Sequence, residues 1–338
     1  MPTNSAAWLT AEKKTPLEIG PAPYTPPREN EVVIKNGAVA INPVDWKLQY
    51  LAIFPQNYPN ILGQDVAGEV VEVGSAVTRF SVGDRVLAHA TNLASKQNSA
   101  SAFQLYTVVP EHVVSPIPSS LSYEAASVLP LGLSTAAVGL FHKDFLNLQR
   151  PSIPSHKPTG QTLLVWGGAS SVGSNAIQLA VHAGYEVITT ASPRNFDYVK
   201  KLGASEAFDY NSPTVVDDLV TALKGKKLAG AYDAVGVFHP TLDVLTRLGG
   251  EHFIATVLSV PKDLPSGISA KGIYAVVAIT DVEFGLSISR DFLPQALAEG
   301  KYAAAPEPLV VGKELEHVQE GMDLNKKGVS ARKVVVSL

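Results

Sequence analysis

The feature that most constrains this chain is the run from Thr162 to Gly184, TLLVWGGASSVGSNAIQLAVHAG. An apolar segment reaches Trp166, glycines follow at positions 167, 168 and 173, and a helical pattern starts inside the cluster. A strand apolar on both faces has to be covered on both, and a glycine turn that delivers it straight into a helix opens a βαβ unit. The following segments keep that alternation: EVITTAS, FDYVKKLGA, SEAFDY, PTVVDDLVTALKG, AYDAVG, PTLDVLTRLG, EHFIATVL and IYAVVAI. The order predicts an α/β fold with a doubly wound parallel sheet, IYAVVAI being its last strand.

The flanking regions have a different texture. From Glu31 to about Pro118, short β-rich runs (EVVIKNGAVAI, QDVAGEVVEVG, DRVLAHA, FQLYTVV) are separated by turn residues, the pattern of a small barrel or sandwich. Around Ser122 the segment SYEAASVLPLGLSTAAVGLF reads as helices linked across Pro130, and the proline-rich stretch Arg150 to Gly160 as an exposed, insertion-like loop. The tail carries helical stretches near Arg290 to Glu299 and Glu314 to Lys326, then a strand at Lys333 to Ser337. At roughly 150 residues per domain, 338 residues make about two domains, with a cleft expected between them.

Composition removes several function classes. A net charge of −4 with no basic block gives no footprint for nucleic acid or an anionic membrane, so the partner is expected to be a small molecule. The absence of cysteine excludes disulfides, iron–sulfur clusters, thiolate nucleophiles and cysteine-ligated zinc. None of the 8 histidines lies within a helical turn of another, so no metal site is expected. The apolar stretch Val128 to Phe141 is shorter than the roughly 20 residues of a membrane span, and a soluble, cytoplasmic protein is the expectation.

The glycine loop carries the chemistry. Gly167, Gly168 and Gly173 permit the turn and close helix–sheet approach, while the helix start offers N–H groups and a positive dipole end to a pyrophosphate. Ala169, Ser170, Ser171 and Val172 complete the cradle; Ser170 stands in the place of the usual middle glycine, and its hydroxyl can donate to the phosphate instead. The next strand end selects the cofactor. An NAD site puts a carboxylate about 20 residues past the loop, whereas this chain has Ser192, Arg194 and Asn195 there. A hydroxyl and a guanidinium bind a 2′-phosphate, so NADPH is the expected cofactor. Lys200, and Tyr210 at the end of the third strand, are candidates to flank the adenosine, though each reads equally well as a solvated side chain.

Together GQDVAGEVVEVGSAVTRFSVGDRV, INPVDWK, VLPLGLSTA, the glycine loop, ITTASPRNFDYVKKLGA and ARKVVV resemble the zinc-independent branch of the medium-chain dehydrogenase/reductase superfamily. The resemblance spans nearly the whole chain. Within the branch it is similar to quinone oxidoreductases and to fungal enoyl reductases, including those acting in trans on polyketide synthases. It implies a GroES-like β-barrel catalytic domain from residues 1–125 and 285–338, a Rossmann domain from 126–284, and NADPH in the cleft. Zinc members carry a cysteine in the INPVDWK region, a His-Glu pair after the glycine of GQD, and a four-cysteine lobe. Here those positions hold Asn42, Gln64 with Asp65, and the cysteine-free TNLASKQNSAS.

Without a Lewis acid, the chemistry that remains is hydride delivery to a carbon already activated by conjugation, the charge on the resulting enolate or hydroquinone oxygen being met by donors. The resemblance places Asn42 and Asp45 at the nicotinamide end of the cofactor and Lys47 and Tyr50 toward substrate; the alternative for Asn42 to Asp45 is a turn that satisfies its own backbone. Ser134 and Thr135 resemble the segment lying against the nicotinamide, and Leu258, Val329 and Ser330 resemble parts that close over it. The expected function is an NADPH-dependent reductase of an α,β-unsaturated carbonyl or quinone, carrier-bound where a synthase presents it. A ketone or aldehyde reductase, and an NADPH-binding protein that is non-catalytic or partner-dependent, stay open. So do monomer and homodimer, the dimer being joined at a sheet edge near Tyr274 to Ile279.

Overall fold

A computed structural model describes residues 2–338. In chain order it contains β1 (Asn4–Leu9), β2 (Glu18–Ala22), β3 (Glu31–Ala40), α1 (Pro43–Leu51), β4 (Asn60–Ile61), β5 (Asp65–Val73), β6 (Arg85–His89), α2 (Asn92–Ser95), β7 (Tyr106–Pro110), β8 (Val114–Pro116), α3 (Tyr123–Ala126) and α4 (Pro130–Phe141). The alternating region follows with β9 (Gln161–Trp166), α5 (Ser171–His182), β10 (Glu186–Ala191), α6 (Phe196–Lys201), β11 (Glu206–Asp209), α7 (Val215–Leu223), β12 (Lys227–Asp233), α8 (Phe238–Leu248), β13 (His252–Thr256) and β14 (Ile268–Gly272). The tail adds α9 (Val277–Thr280), α10 (Val282–Ser289), α11 (Leu293–Ala298), β15 (Glu307–Lys313), α12 (Val318–Lys327) and β16 (Arg332–Ser337).

The chain forms two compact units. The first runs to Leu131 and resumes from Ala278 to Leu338; the second is Gly132–Val277. Both divisions fall inside helices, α4 and α9, whereas the sequence places them at 125/126 and 284/285. Local bonds explain the shift: the Leu131 N–H donates to Asp65 Oδ1 (2.6 Å), and the His112 ring bonds the Ile279 carbonyl (2.8 Å), so both residues stay with the first unit.

In the first unit β3 is the hub of a seven-stranded sheet ordered β15-β16-β3-β5-β6-β8, with β7 also on β3 and a small β2-β1-β4 sheet beside it. β3 is buried along most of its length and pairs antiparallel with β5, β7 and β16, so the C-terminal strand completes a sheet begun near the N-terminus. β15 pairs parallel to β16. The run Tyr123–Phe141 has the length and mean hydropathy (1.4) of a membrane span, but 78% of that window is buried among protein neighbours, as in a core helix.

The second unit holds six parallel strands in the order β11-β10-β9-β12-β13-β14. The chain enters at the centre, winds outward through β10 and β11, then crosses back and winds the other way. The reversal between β9 and β12 is the topological switch point where open α/β sheets bind their ligands, outside the carboxyl ends of the strands. Trp166 belongs to the core there, with Leu164, Ile188, Leu219, Leu245 and Ile254.

One expectation changes. IYAVVAI is not the last strand: β14 is Ile268–Gly272, aligned residue by residue with β13, and Val277 to Thr280 is helical. A five-residue apolar run fits a buried helical turn as well as a strand, so Tyr274 to Ile279 is not the sheet edge. The Arg150–Gly160 loop is mostly exposed, as expected, and it is pinned to the end of α5. Ser155 Oγ bonds His182 Nδ1 (2.7 Å), and the N–H groups of His156 and Thr159 donate to the carbonyls of His182 (3.1 Å) and Gly184 (2.9 Å) at the end of α5.

Candidate active site

In the second unit the chain leaves β9 into Gly167, at φ +82°, and enters α5 through Ser170. A Cβ at Gly173 would strike the Gly167 carbonyl and come within 2.8 Å of Gly168 Cα, so only glycine lets the helix start press against the turn. Ser170 is the N-cap: its Oγ accepts from the Gly173 N–H (3.0 Å) and its carbonyl from the Ser174 N–H (2.8 Å). Accepting that bond uses one lone pair of Oγ and leaves the hydroxyl proton, which the structure directs only at the Ala234 carbonyl at 3.5 Å, able to donate. The N–H groups of Ser171 and Val172, in the first turn, have no intrahelical acceptor. Ser171 Oγ is buried without a hydrogen-bond partner. A glycine-shaped hollow, two free N–H groups, an orphan hydroxyl and the positive end of a 12-residue helix fit a pyrophosphate.

Beyond β10 the chain makes a tight turn. The Asn195 N–H donates to the Ser192 carbonyl (2.8 Å) and Asn195 Nδ2 to Ser192 Oγ (3.0 Å). Arg194 projects exposed from this turn and, among the described residues, makes no salt bridge. Asp209, ending the neighbouring strand, is turned onto the Asn211 N–H (2.9 Å). Lys200 and Tyr210 are exposed, Tyr210 just past the end of β11.

On the other side of the switch point the strand ends present apolar side chains to solvent: Val235, Val237 and Leu258 are each 40 to 45% exposed. They follow β12 and β13 directly. Ser134 and Thr135 lie on α4, where the Thr135 carbonyl accepts from the fully buried Tyr232 hydroxyl (2.8 Å). Asp233, fully buried at the end of β12, is a residue the sequence reading missed. The available signal was an acid at a strand end ahead of the glycine in AYDAVG.

In the first unit, Asn42 caps α1 in a capping box: the Asn42 N–H donates to Asp45 Oδ2 (2.7 Å) and the Asp45 N–H to the Asn42 carbonyl (3.0 Å). The side chains of both residues turn into the interior. Asn42 Nδ2 donates to Asp65 Oδ2 (2.8 Å), and Lys333, 3% exposed, donates to both Asn42 Oδ1 (2.5 Å) and Asp65 Oδ2 (2.8 Å). With the Leu131 N–H on its other oxygen, Asp65 receives three protein donors. Both side-chain polar atoms of Asn42 are engaged in this buried knot, which fits the turn alternative, while Asp45 spends Oδ2 on the cap and keeps Oδ1 buried without a hydrogen-bond partner. Burial pushes the Asp45 carboxyl up to about 7, with Asp65 adding to the rise, and pushes the neighbouring His89 down to about 4.

Lys47 is half-buried on α1, its ammonium 5.6 Å from the Trp46 ring centroid. The Tyr50 hydroxyl donates to Asp323 Oδ1 on α12 (2.7 Å), and Lys326 stacks on its ring at 3.5 Å, so Tyr50 ties two helices together. Val329 and Ser330 lie in the connection from α12 to β16. Among the described residues no group of three or more His, Asp and Glu is placed to hold a metal ion.

Residues 28–119 match the alcohol dehydrogenase GroES-like domain family and residues 171–277 the zinc-binding dehydrogenase family. A zinc-binding alcohol dehydrogenase domain-containing protein of Emericella nidulans is 50% identical, the match covering 99% of this chain and 98% of that protein. A trans-enoyl reductase of Aspergillus japonicus is 41% identical over 99% and 97%. Among solved structures, an Escherichia coli quinone oxidoreductase complexed with NADPH superposes with a TM-score of 0.74 at 21% identity, covering 100% of both chains. The architecture, the glycine turn at the switch point and these relatives agree: the chain belongs to the medium-chain dehydrogenase/reductase superfamily and is an oxidoreductase of that type.

Proposed function

We propose that this chain is an NADPH-dependent reductase of activated alkenes or quinones, working without zinc on a free substrate or on an enoyl group carried by a synthase partner. The observation that carries the cofactor choice is the turn after β10, which offers the Ser192 hydroxyl and the unpaired Arg194 guanidinium where an NAD site has a carboxylate. The substrate class draws on the relatives named trans-enoyl reductases, at 34 to 41% identity, and on the quinone oxidoreductase fold.

A reduced nicotinamide supplies a hydride when bound. The residues of this chain hold and orient it. The first N–H groups of α5, with Ser171 Oγ, bind the pyrophosphate; Ser192 and Arg194 hold the 2′-phosphate; Val235, Val237 and Leu258 offer an apolar surface, and Ser134 and Thr135 present hydroxyls for a carboxamide. Lys47, whose ammonium makes no salt bridge among the described residues, is the donor proposed for the oxygen that gains charge. Zinc independence draws on Asp65: each of its oxygens already receives a protein donor, so it has little left to give a metal.

The test is NADPH oxidation with matched panels of enones, quinones and saturated carbonyls, with and without a chelator, for wild type and Lys47→Ala. Reduction restricted to enones or quinones, unaffected by chelation and slowed in Lys47→Ala with NADPH binding retained, is the expected result. Losing one oxyanion donor costs about 10²–10³ in turnover in well-studied sites, and a smaller factor is expected for a side chain that water replaces. Equal rates on saturated aldehydes, or loss of activity on chelation, refute the proposal.

A further inference from the structure

The loop after β12 is organised by one side chain. Asp233 Oδ1 accepts from the N–H groups of Val235 (3.2 Å), Gly236 (2.9 Å) and Val237 (3.1 Å), while Oδ2 accepts from Thr256 Oγ1 (2.8 Å) at the end of β13. Thr256 Oγ1 in turn accepts from the Leu258 N–H (3.4 Å), and the Asp233 carbonyl from the Val257 N–H (3.1 Å). The loops also touch. A Cβ on Gly236 would overlap the Leu258 side chain, and one on Gly167 would come within 2.6 Å of Val235. Three exposed apolar residues at the switch point are thus held by a fully buried carboxylate that no cation faces in a salt bridge among the described residues. A buried acid satisfied only by backbone N–H groups and a hydroxyl fixes backbone geometry, since each donor it gathers would otherwise be left unpaired.

We infer that Asp233 is a positioning residue for the nicotinamide half of the cofactor, acting through Val235, Val237 and Leu258; the inference rests on the NADPH reading. A dinucleotide laid across the switch point with its adenosine at the β10 end puts its other half over the ends of β12 and β13. Tyr232, one residue earlier, fixes the same strand end to the α4 segment carrying Thr135. Asp233 therefore sets one half of the site and leaves the other alone.

That asymmetry is the test. NADPH and adenosine 2′,5′-bisphosphate, which carries only the phosphorylated adenosine end, are titrated calorimetrically against wild type, Asp233→Ala and Asp233→Asn. Asp233→Ala is expected to weaken NADPH about tenfold, the scale of losing buried hydrogen bonds, with adenosine 2′,5′-bisphosphate unchanged. Asp233→Asn, which keeps an oxygen for the three N–H groups, restores NADPH binding. Thr256→Val, of similar volume, shows the same split at smaller size and carries the test should Asp233→Ala not fold. Equal weakening of both ligands, or no change in either, overturns the inference. A wild type that binds neither overturns the cofactor reading itself.

Discussion

The buried knot in the first unit makes a pH prediction that opposes two groups against each other. Asp45 titrates near 7 in the folded chain against an ordinary 3.8, so between those values the folded state keeps a proton that the unfolded state has released. Stability from Asp45 therefore falls as pH rises through that window. His89 titrates near 4 against an ordinary 6.5, so the folded state holds fewer protons there, and its effect runs the other way: stability falls as pH drops. Between pH 7.5 and 4.5 the linkage gives roughly 3 kcal/mol gained through Asp45 and a comparable amount lost through His89, so the two largely offset each other. Asp45→Asn keeps an acceptor for the Asn42 N–H but abolishes one side of the balance. Urea unfolding followed by tryptophan fluorescence, in a Trp166→Phe background so that Trp8 and Trp46 report on the first unit, should show the variant losing about 3 kcal/mol relative to wild type on going from pH 7.5 to 4.5. His89→Gln should gain relative to wild type over the same range. If Asp45→Asn and wild type change in parallel with pH, the opposed pair does not exist.

Arg194→Ala should weaken NADPH by tenfold to a hundredfold, about 1.5–3 kcal/mol for a charge-assisted contact, and leave NADH unchanged; equal effects on both cofactors, measured by fluorescence titration, refute the 2′-phosphate assignment. Lys333→Met should cost roughly 3–5 kcal/mol in urea unfolding, because it strands Asp65 as an uncompensated buried charge. Adding Asp65→Asn should recover much of it, and a cost under about 1 kcal/mol would show that the pair is not buried as a unit.

The legible parts of the fold were those written in local pattern. The turn from β9 into α5 was readable because an apolar run, glycines at the turn and a helical period lie within 23 residues, and each has a direct steric reason. The turn at Asn42 to Asp45 was readable as an alternative, because short polar side chains ahead of a helix bond their own backbone. β15 was not anticipated: EPLVVGK carries a proline and a glycine, and its pairing with β16 is a tertiary fact. AVVAI was misread because five apolar residues do not distinguish a strand from a helical turn. The knot was hidden altogether, since Lys333 meets Asn42 across 291 positions and nothing in ARKVVV distinguishes its lysine from a solvated one. Asp233 lay between these cases: its strand was recognised, but a buried acid gathering three N–H groups looks in sequence like any acid at a strand end.

The knot also connects the fold to the chemistry proposed. Where zinc members of the superfamily place ligands around INPVDWK and GQD, this chain has an amide, a carboxylate and, from its last strand, an ammonium, all hydrogen-bonded to one another away from water. An ion pair satisfied in this way organises the start of α1 and of β5 as a metal would, but it offers no empty coordination position. On the proposed reading, stabilisation of developing negative charge falls to hydrogen-bond donors such as Lys47, which are weaker electrophiles than a metal ion. Weak electrophiles suffice where conjugation already spreads the charge, as on an enolate or a hydroquinone, and fall short for an isolated carbonyl. The positions that depart from the zinc pattern therefore support the substrate class proposed above.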